Sequence, residues 1–263
     1  MEFLTIFITI IISFLSSGGL ILDRVLANLI RSRTESVEEL EVRVDNVPSY
    51  QILQGKAKRI RIASRGLEPI EQVRIAVLEL ETDPIELDLE QLQGGDGQNF
   101  RQALRKPLQG GIRLVLSQQD LNKALQSEQI QSYLPKLISN SETESYQLIN
   151  PRLELKGDNR VAIALQVKLL KRDREETLDI TLELGLEVEQ GHQIKIVDPM
   201  GTLNGRKLSR KLLQGFADNI NSQLDFRTLE KDGITLRLLK LDINDNEINM
   251  AAFVRIAKDY SSN

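Results

Sequence analysis

The sequence predicts an α+β fold of long antiparallel strands and two amphipathic helices, preceded by an apolar amino terminus. Three observations predict it. Over long stretches aliphatic residues recur at every second position, the period of a half-buried strand. Two segments, Leu116-Ser117 with Leu121 and Leu208-Ser209 with Leu213, carry the cap and hydrophobic staple of a helix start. The apolar content is almost wholly aliphatic: Trp is absent, and aromatics make up 4% of the 263 residues. Leu, Ile and Val side chains give a smooth, non-directional surface, suited to a plain core and equally to a groove for acyl chains.

From Phe3 to Leu22 no residue is charged. At ~1.5 Å per residue such a helix covers the ~30 Å hydrocarbon core of a bilayer. Ser16-Ser17-Gly18-Gly19 interrupts it, leaving an apolar run nearer a signal-peptide length. Residues 1–22 therefore read as a retained anchor, a signal segment, or an apolar helix docked on its own domain. Glu2 and the lack of an A-x-A site favour the anchor. Residues 23–258 read as one domain and 259–263 as a frayed tail. Arg24, Arg31 and Arg33 follow the segment while no Lys or Arg precedes it, which by the positive-inside rule holds the domain on the cytoplasmic side.

Leu22, Val25, Leu26, Leu29 and Ile30 make the stripe of a helix over 20–31. The period then falls to two. Leu40, Val42 and Val44 form one strand, Ile60 and Ile62 another, and Val73, Ile75 and Val77 a third. The move to Leu78 and Leu80 changes parity, predicting a bulge or bend. Ile85, Leu87 and Leu89 predict a further strand. Gln93 to Pro107 reads as a loop with a short amphipathic piece from Phe100 to Leu104. Ile112, Leu114 and Leu116 run into a helix capped by Ser117 and ending near Leu125, followed by a second piece from Glu128 to Ile138. A meander follows: Leu153 and Leu155, a turn at Gly157-Asp158-Asn159, Val161 to Leu169, Ile180 to Val188, a turn at Gln190-Gly191, then His192, Ile194 and Ile196. Its two middle strands exceed the usual five or six residues, so the sheet must curl or pack on something. A second helix capped by Ser209 buries Leu212, Leu213, Phe216, Ile220 and Leu224. A hairpin, Ile234 to Ile243 and Glu247 to Ile256, closes the chain around Asn244-Asp245-Asn246.

Chemistry is sparse. With no Cys there is no disulfide, thiolate nucleophile or thiolate-held metal. The single His192 sits in a hairpin turn, and no nucleophile elbow, H-E-x-x-H pair or phosphate loop is present. No catalytic residue, metal or cofactor is expected. The run from Asp242 to Asn246 fails as a calcium loop, with Glu247 at the sixth position and Phe253 at the twelfth. A net charge of −4 argues against nucleic acid as a partner. Lys56, Lys58, Arg59, Arg61 and Arg65 read as cross-strand partners of acids. Arg206, Lys207, Arg210 and Lys211 crowd a helix start, where the helix dipole disfavours cations. They predict an anionic partner, either internal acids such as Asp198 or an external phosphate, or else form a solvated basic face.

The stretches VEELEVRVDNVPSYQILQGKAKRIRIASRGL, LELETDPIELDL, GGIRLVLSQQDLNKAL and GITLRLLKLDINDNEINMAAFVRI resemble the LmeA-like phospholipid-binding proteins, in a cyanobacterial-type branch. The resemblance implies a tubular architecture related to bactericidal/permeability-increasing proteins, in which a long curved antiparallel sheet wraps amphipathic helices around an apolar groove. It also implies a phospholipid partner, a membrane setting and a periplasmic or lumenal location, against the cytoplasmic bias of the three arginines. On this basis the groove is expected to be lined by Ile163, Leu165, Val167, Ile180, Leu182, Leu184, Leu186, Leu212, Phe216 and Ile220. Arg206, Lys207, Arg210 and Lys211 would then meet the headgroup. A closed core made by the same aliphatic side chains, in an assembly protein without lipid, is the alternative.

Overall fold

Strands form where the sequence alternates, and the helices begin at their caps. A computed structural model describes residues 22–45, 51, 54–88, 100–131, 146–171 and 174–258. Helix α1 (Leu22–Ser32) precedes β1 (Ser36–Asp45), β2 (Lys56–Ala57), β3 (Arg59–Ile70), β4 (Val73–Thr82) and β5 (Ile85–Glu86). Next come α2 (Phe100–Ala103), β6 (Leu108–Ser117) and α3 (Gln118–Gln126). The meander is β7 (Tyr146–Gly157), β8 (Arg160–Lys171), β9 (Arg174–Glu189), β10 (Gln193–Leu203) and β11 (Arg206–Lys207). Helix α4 (Arg210–Gln223), a 3₁₀ segment (Phe226–Asp232), β12 (Ile234–Ile243) and β13 (Glu247–Ile256) complete the order. The apolar segment before Leu22, the piece beyond Gln131 and the tail from Asp259 lie outside the described residues.

The strands make two main sheets, not one long one. A six-stranded sheet runs β1-β3-β4-β6-β13-β12, a five-stranded sheet runs β11-β10-β9-β8-β7, and β2 pairs with β5. No curled or tubular sheet is found among the described residues. The division arises because β6 pairs with the distant β13 instead of with the meander that follows it. In the first sheet Val42, Ile62, Leu80, Ile112, Ala252 and Leu238 stand in one row across all six strands. The opposite face carries charge, and Arg59, Arg61 and Arg65 pair there with Glu81, Asp45 and Glu39.

Three register shifts fall on prolines, which lack the N–H a ladder needs. They lie at Pro69 in β3, Pro151 in β7 and Pro199 in β10. The irregularity expected at Leu78 in β4 thus sits in β3. Strand β4 is continuous and uses both faces: Leu78 and Leu80 join the aliphatic face, while Ile75 packs with Leu67 in the cluster that holds Ile30 of α1. Of the strand expected from Ile85 to Leu89, Ile85 and Glu86 form β5. Beyond it the chain threads between a turn and a helix end, with Leu87 N donating to Gly55 O at 2.8 Å and Asp88 N to Ala103 O at 2.7 Å. Leu87 is fully buried there, and Leu89 lies outside the described residues.

Helix α3 joins the two sheets. Ser117 caps it, its Oγ accepting from Asp120 N at 3.1 Å. The Asp120 carboxylate, its side chain 5% exposed, accepts from Arg74 Nη1 of β4 at 2.8 Å, and Arg74 also donates to Glu38 of β1. Its bonds to Glu38 and Asp120 hold Arg74 firmly protonated. On its other side α3 serves as a surrogate strand along β7. Leu155 N donates to Gln118 Oε1 at 2.7 Å, and Leu153 N to Asn122 Oδ1 at 2.9 Å. Asn122 Nδ2 donates to Leu153 O at 2.7 Å and Gln126 Nε2 to Pro151 O at 2.9 Å. The match is geometric. Four helical residues advance about 6 Å and two strand residues about 6.7 Å, so side chains at every fourth position meet main chain at every second.

The edge of β12 is closed by hairpin turns of the second sheet. Leu238 N donates to Gly191 O at 2.6 Å, and Ile243 N to Asn159 Oδ1 at 2.7 Å. The Asn159 turn is a two-residue hairpin in which Asp158 and Asn159 both have positive φ.

Two experiments check these constraints. Gly110 lies so close to β4 that an added Cβ would sit 2.6 Å from Glu81 O, whereas one at Gly111 would meet nothing within 4 Å. Urea unfolding should show Gly110→Ala destabilised by ~1–3 kcal/mol and Gly111→Ala unchanged or more stable by ~0.4–1 kcal/mol. Asn122→Ala strands a donor and an acceptor on Leu153 and should cost ~1–3 kcal/mol. A variant as stable as wild type would mean that α3 does not hold the edge of β7.

Candidate functional site

The second sheet presents its aliphatic side chains in rows. Leu155, Val161 and Leu184 make one, Leu153, Ile163, Leu182 and Gly201 the next, and Leu165, Ile180 and Leu203 a third. Leu148, Val167 and Leu178 make a fourth. Burial grades along them. The first row is buried with Ile196, Ala217 of α4 and Ile243 of β12, with Leu184 5% and Ile243 2% exposed. Ile163, Leu165, Val167, Ile180 and Leu182 are only half-buried and lie outside that cluster. The face is thus a filled core near the hairpin turns and a half-buried aliphatic surface beyond it, with Leu148 of the fourth row buried again at 7% exposed.

The residues expected to line a groove divide accordingly. Leu184 is core, and Leu186, Phe216 and Ile220 pack against that core. The other strand residues, Ile163, Leu165, Val167, Ile180 and Leu182, form the half-buried surface. Leu212 does neither: it is 57% exposed. Helix α4 buries Leu213, Ala217 and Asn221 instead, placing Leu212 about 100° round the helix from that stripe. Asn221 has a structural reason to be buried, since its Oδ1 accepts from Ile196 N at 2.7 Å. Gly201 allows the close fit at the start of α4. A Cβ there would lie 2.7 Å from Leu182 Cδ2 and 3.4 Å from Leu208 Cδ1.

Arg206, Lys207, Arg210 and Lys211 are all exposed, and none forms an ion pair among the described residues. Asp198 is therefore not their partner. Register places Arg206 opposite Leu203, so a guanidinium terminates the row Leu165, Ile180, Leu203. The β10–β11 turn that sets this position is Asn204-Gly205, both at positive φ, and Asn204 Oδ1 accepts from Asp179 N at 2.8 Å.

Part of the aliphatic surface escaped the sequence reading. In the first sheet Leu40, Leu78, Leu114, Met250 and Leu241 share a face with the row that includes Leu80 and Ile112, and all seven are half-buried. Leu241 and Ile248 pack on the core of the second sheet, so the apolar faces of the two sheets are continuous. The period-two pattern marks these strands as well as the others, but not which partner sheet they face. Among the described residues no group of three or more His, Asp or Glu could hold a metal, and no helix is long and apolar enough to cross a membrane.

A family model, LmeA-like phospholipid-binding, matches residues 16–253. The chain belongs to the LmeA-like phospholipid-binding family. Membership implies phospholipid binding, and the family is named for lipid binding rather than for catalysis. No curated protein and no solved structure matches the chain.

One electrostatic feature beside α4 is directly testable. Asp225 caps the 3₁₀ segment, and the guanidinium and main-chain N–H of Arg227 hold its carboxyl down to about 2. A depressed folded-state value contributes stability above the ordinary carboxyl range near 3.8 and loses it as pH falls towards 2. Asp225→Asn should therefore melt below wild type at pH 6, and the gap should close between pH 4 and 2. A gap independent of pH would remove the pair as its cause.

Proposed function

We propose that this protein holds a single phospholipid at a bacterial membrane, with its acyl chains on the open aliphatic face of the second sheet and its phosphate beside Arg206. The observation that carries this reading is the row Leu165, Ile180, Leu203, which ends on an arginine without an ion pair among the described residues. A lipid needs an apolar track leading to a cation. Lys207, Arg210 and Lys211 surround that end and add to its positive potential. Ile163, Val167 and Leu182 widen the track, and the continuous face of the first sheet extends it.

The energetics are those of exchange. Burying a CH₂ contributes ~0.8 kcal/mol relative to water. In a bilayer the chains are already buried, so the protein surface need only match the membrane. The charge-assisted contact with phosphate then decides which lipid stays. The same exchange suits transfer as well as storage. The membrane setting, and a periplasmic or lumenal face for the domain, belong to this proposal.

Native mass spectrometry on the full chain, extracted in mild detergent and then stripped of it, tests the reading. Near-stoichiometric phospholipid should accompany wild type, and Leu182→Asn with Ile163→Asn should reduce occupancy at least tenfold while leaving the fold intact by circular dichroism. Lipid-free wild type that also refuses added phospholipid would overturn the proposal and favour an assembly role on the same fold.

A further inference from the structure

Elsewhere the surface cations of this acidic chain are commonly matched with acids. Arg43, Arg61, Arg65, Arg74, Arg113, Arg160, Arg227 and Arg237 each lie within ion-pair distance of an Asp or Glu. Others, such as Arg31, Arg33 and Lys123, have no ion pair among the described residues, but the corner formed by β11 and the first turn of α4 gathers several of them beside an exposed leucine. Lys207, Arg210 and Lys211 are exposed there without an ion pair among the described residues, and Leu212, exposed at 57%, stands among them. The first turn of α4 contains no acid. Asp218, about 10 Å further along the axis, is exposed and accepts from Gln214 at 2.8 Å. Met200 and Leu239 are exposed too, at 54% and 71%, but Leu212 is the one that follows Arg210 and Lys211 directly.

We propose that this corner is a docking surface for an anionic lipid bilayer, on which the three cations meet headgroups and Leu212 enters the interface. Charge complementarity selects the partner. Anionic leaflets attract clustered Lys and Arg, and an apolar side chain among them gains by leaving water. The chain as a whole carries −4, so the attraction comes from local clusters of cations, and this one would turn α4 and β11 towards the membrane. The inference rests on the lipid-holding reading for one point only: the docked corner is also the arginine end of the aliphatic row, so a lipid would leave the bilayer directly beside Arg206.

The test is co-sedimentation of the full chain with vesicles of phosphatidylcholine alone and of phosphatidylcholine with one-quarter phosphatidylglycerol. The apolar amino terminus contributes equally to both, so the ratio of the two partition coefficients isolates charge. Each cation at an anionic surface is worth about fivefold, so three give a preference of about a hundredfold at low salt. That preference should fall steeply in 0.5 M NaCl. Lys207→Gln, Arg210→Gln and Lys211→Gln together should cut the ratio at least tenfold, with Arg206 left in place. Leu212→Ser should weaken binding to the anionic vesicles several-fold and leave its salt dependence unchanged. Wild type binding both vesicles equally, or the triple variant keeping the preference, would overturn the proposal. The cargo variant Leu182→Asn with Ile163→Asn separates the two readings, because it should lose bound lipid and keep the vesicle preference. Wild type that carries no lipid but keeps the preference would leave docking standing and remove the cargo.

Discussion

A carboxylate and three amides on the nine residues of α3 hold the two sheets to each other. Asp120 fastens the helix to Arg74 and through it to Glu38, while Gln118, Asn122 and Gln126 read the main chain of β7. Of these only Asp120 is buried; a buried charge costs free energy unless its partners are present, so the Arg74 pair fixes a unique geometry more than it adds net stability. The arrangement also deals with an edge. A twelve-residue strand with a free ladder invites pairing with other chains, and a helix carrying amides at the right interval fills that ladder with side chains. Hairpin turns do the same for β12. Both joints bring the aliphatic faces of the sheets into one surface.

That surface is unlike a core that happens to be loosely filled. Rows of Leu, Ile and Val run from full burial around Leu184 to half-burial around Ile163, Leu165 and Ile180 without a change of residue type. A folding chain gains nothing by leaving such side chains open. Branched aliphatics without polar atoms make a surface with no directional contacts of its own. Arg206 stands at one end of it by register, because the two-residue turn at Asn204-Gly205 leaves β11 only one way to pair with β10.

Local features were legible in the sequence. The closing hairpin lies where alternation and the Asn-Asp-Asn turn put it, and Ser117 and Ser209 cap the helices they precede. Each is specified within about ten residues. Features that depend on distant partners were not legible. One long sheet became two because β6 pairs with β13, and nothing local to β6 marks that choice. Leu212 fell outside the helix stripe because Asn221, a polar residue, takes a buried position to satisfy Ile196, which rotates the face that a purely apolar count selects. The four-residue spacing of Gln118, Asn122 and Gln126 was visible throughout. Its meaning needed β7 beside it.

The pairing of β6 with β13 also has a consequence in time. The meander from β7 to β11 is a succession of neighbours, each strand finding its partner as soon as it leaves the ribosome. The six-stranded sheet has no such freedom: Ser117 pairs with Glu247 and Leu108 with Ile256, close to the end of the described chain. Until the last strands are synthesised, β6 presents an open ladder and an aliphatic face to its surroundings, and loop closure over that span is slow. Translation order therefore leaves the first half of the protein waiting for its last hairpin. Over that interval the nascent chain has the properties of a sticky edge, and protection by a chaperone matters most then.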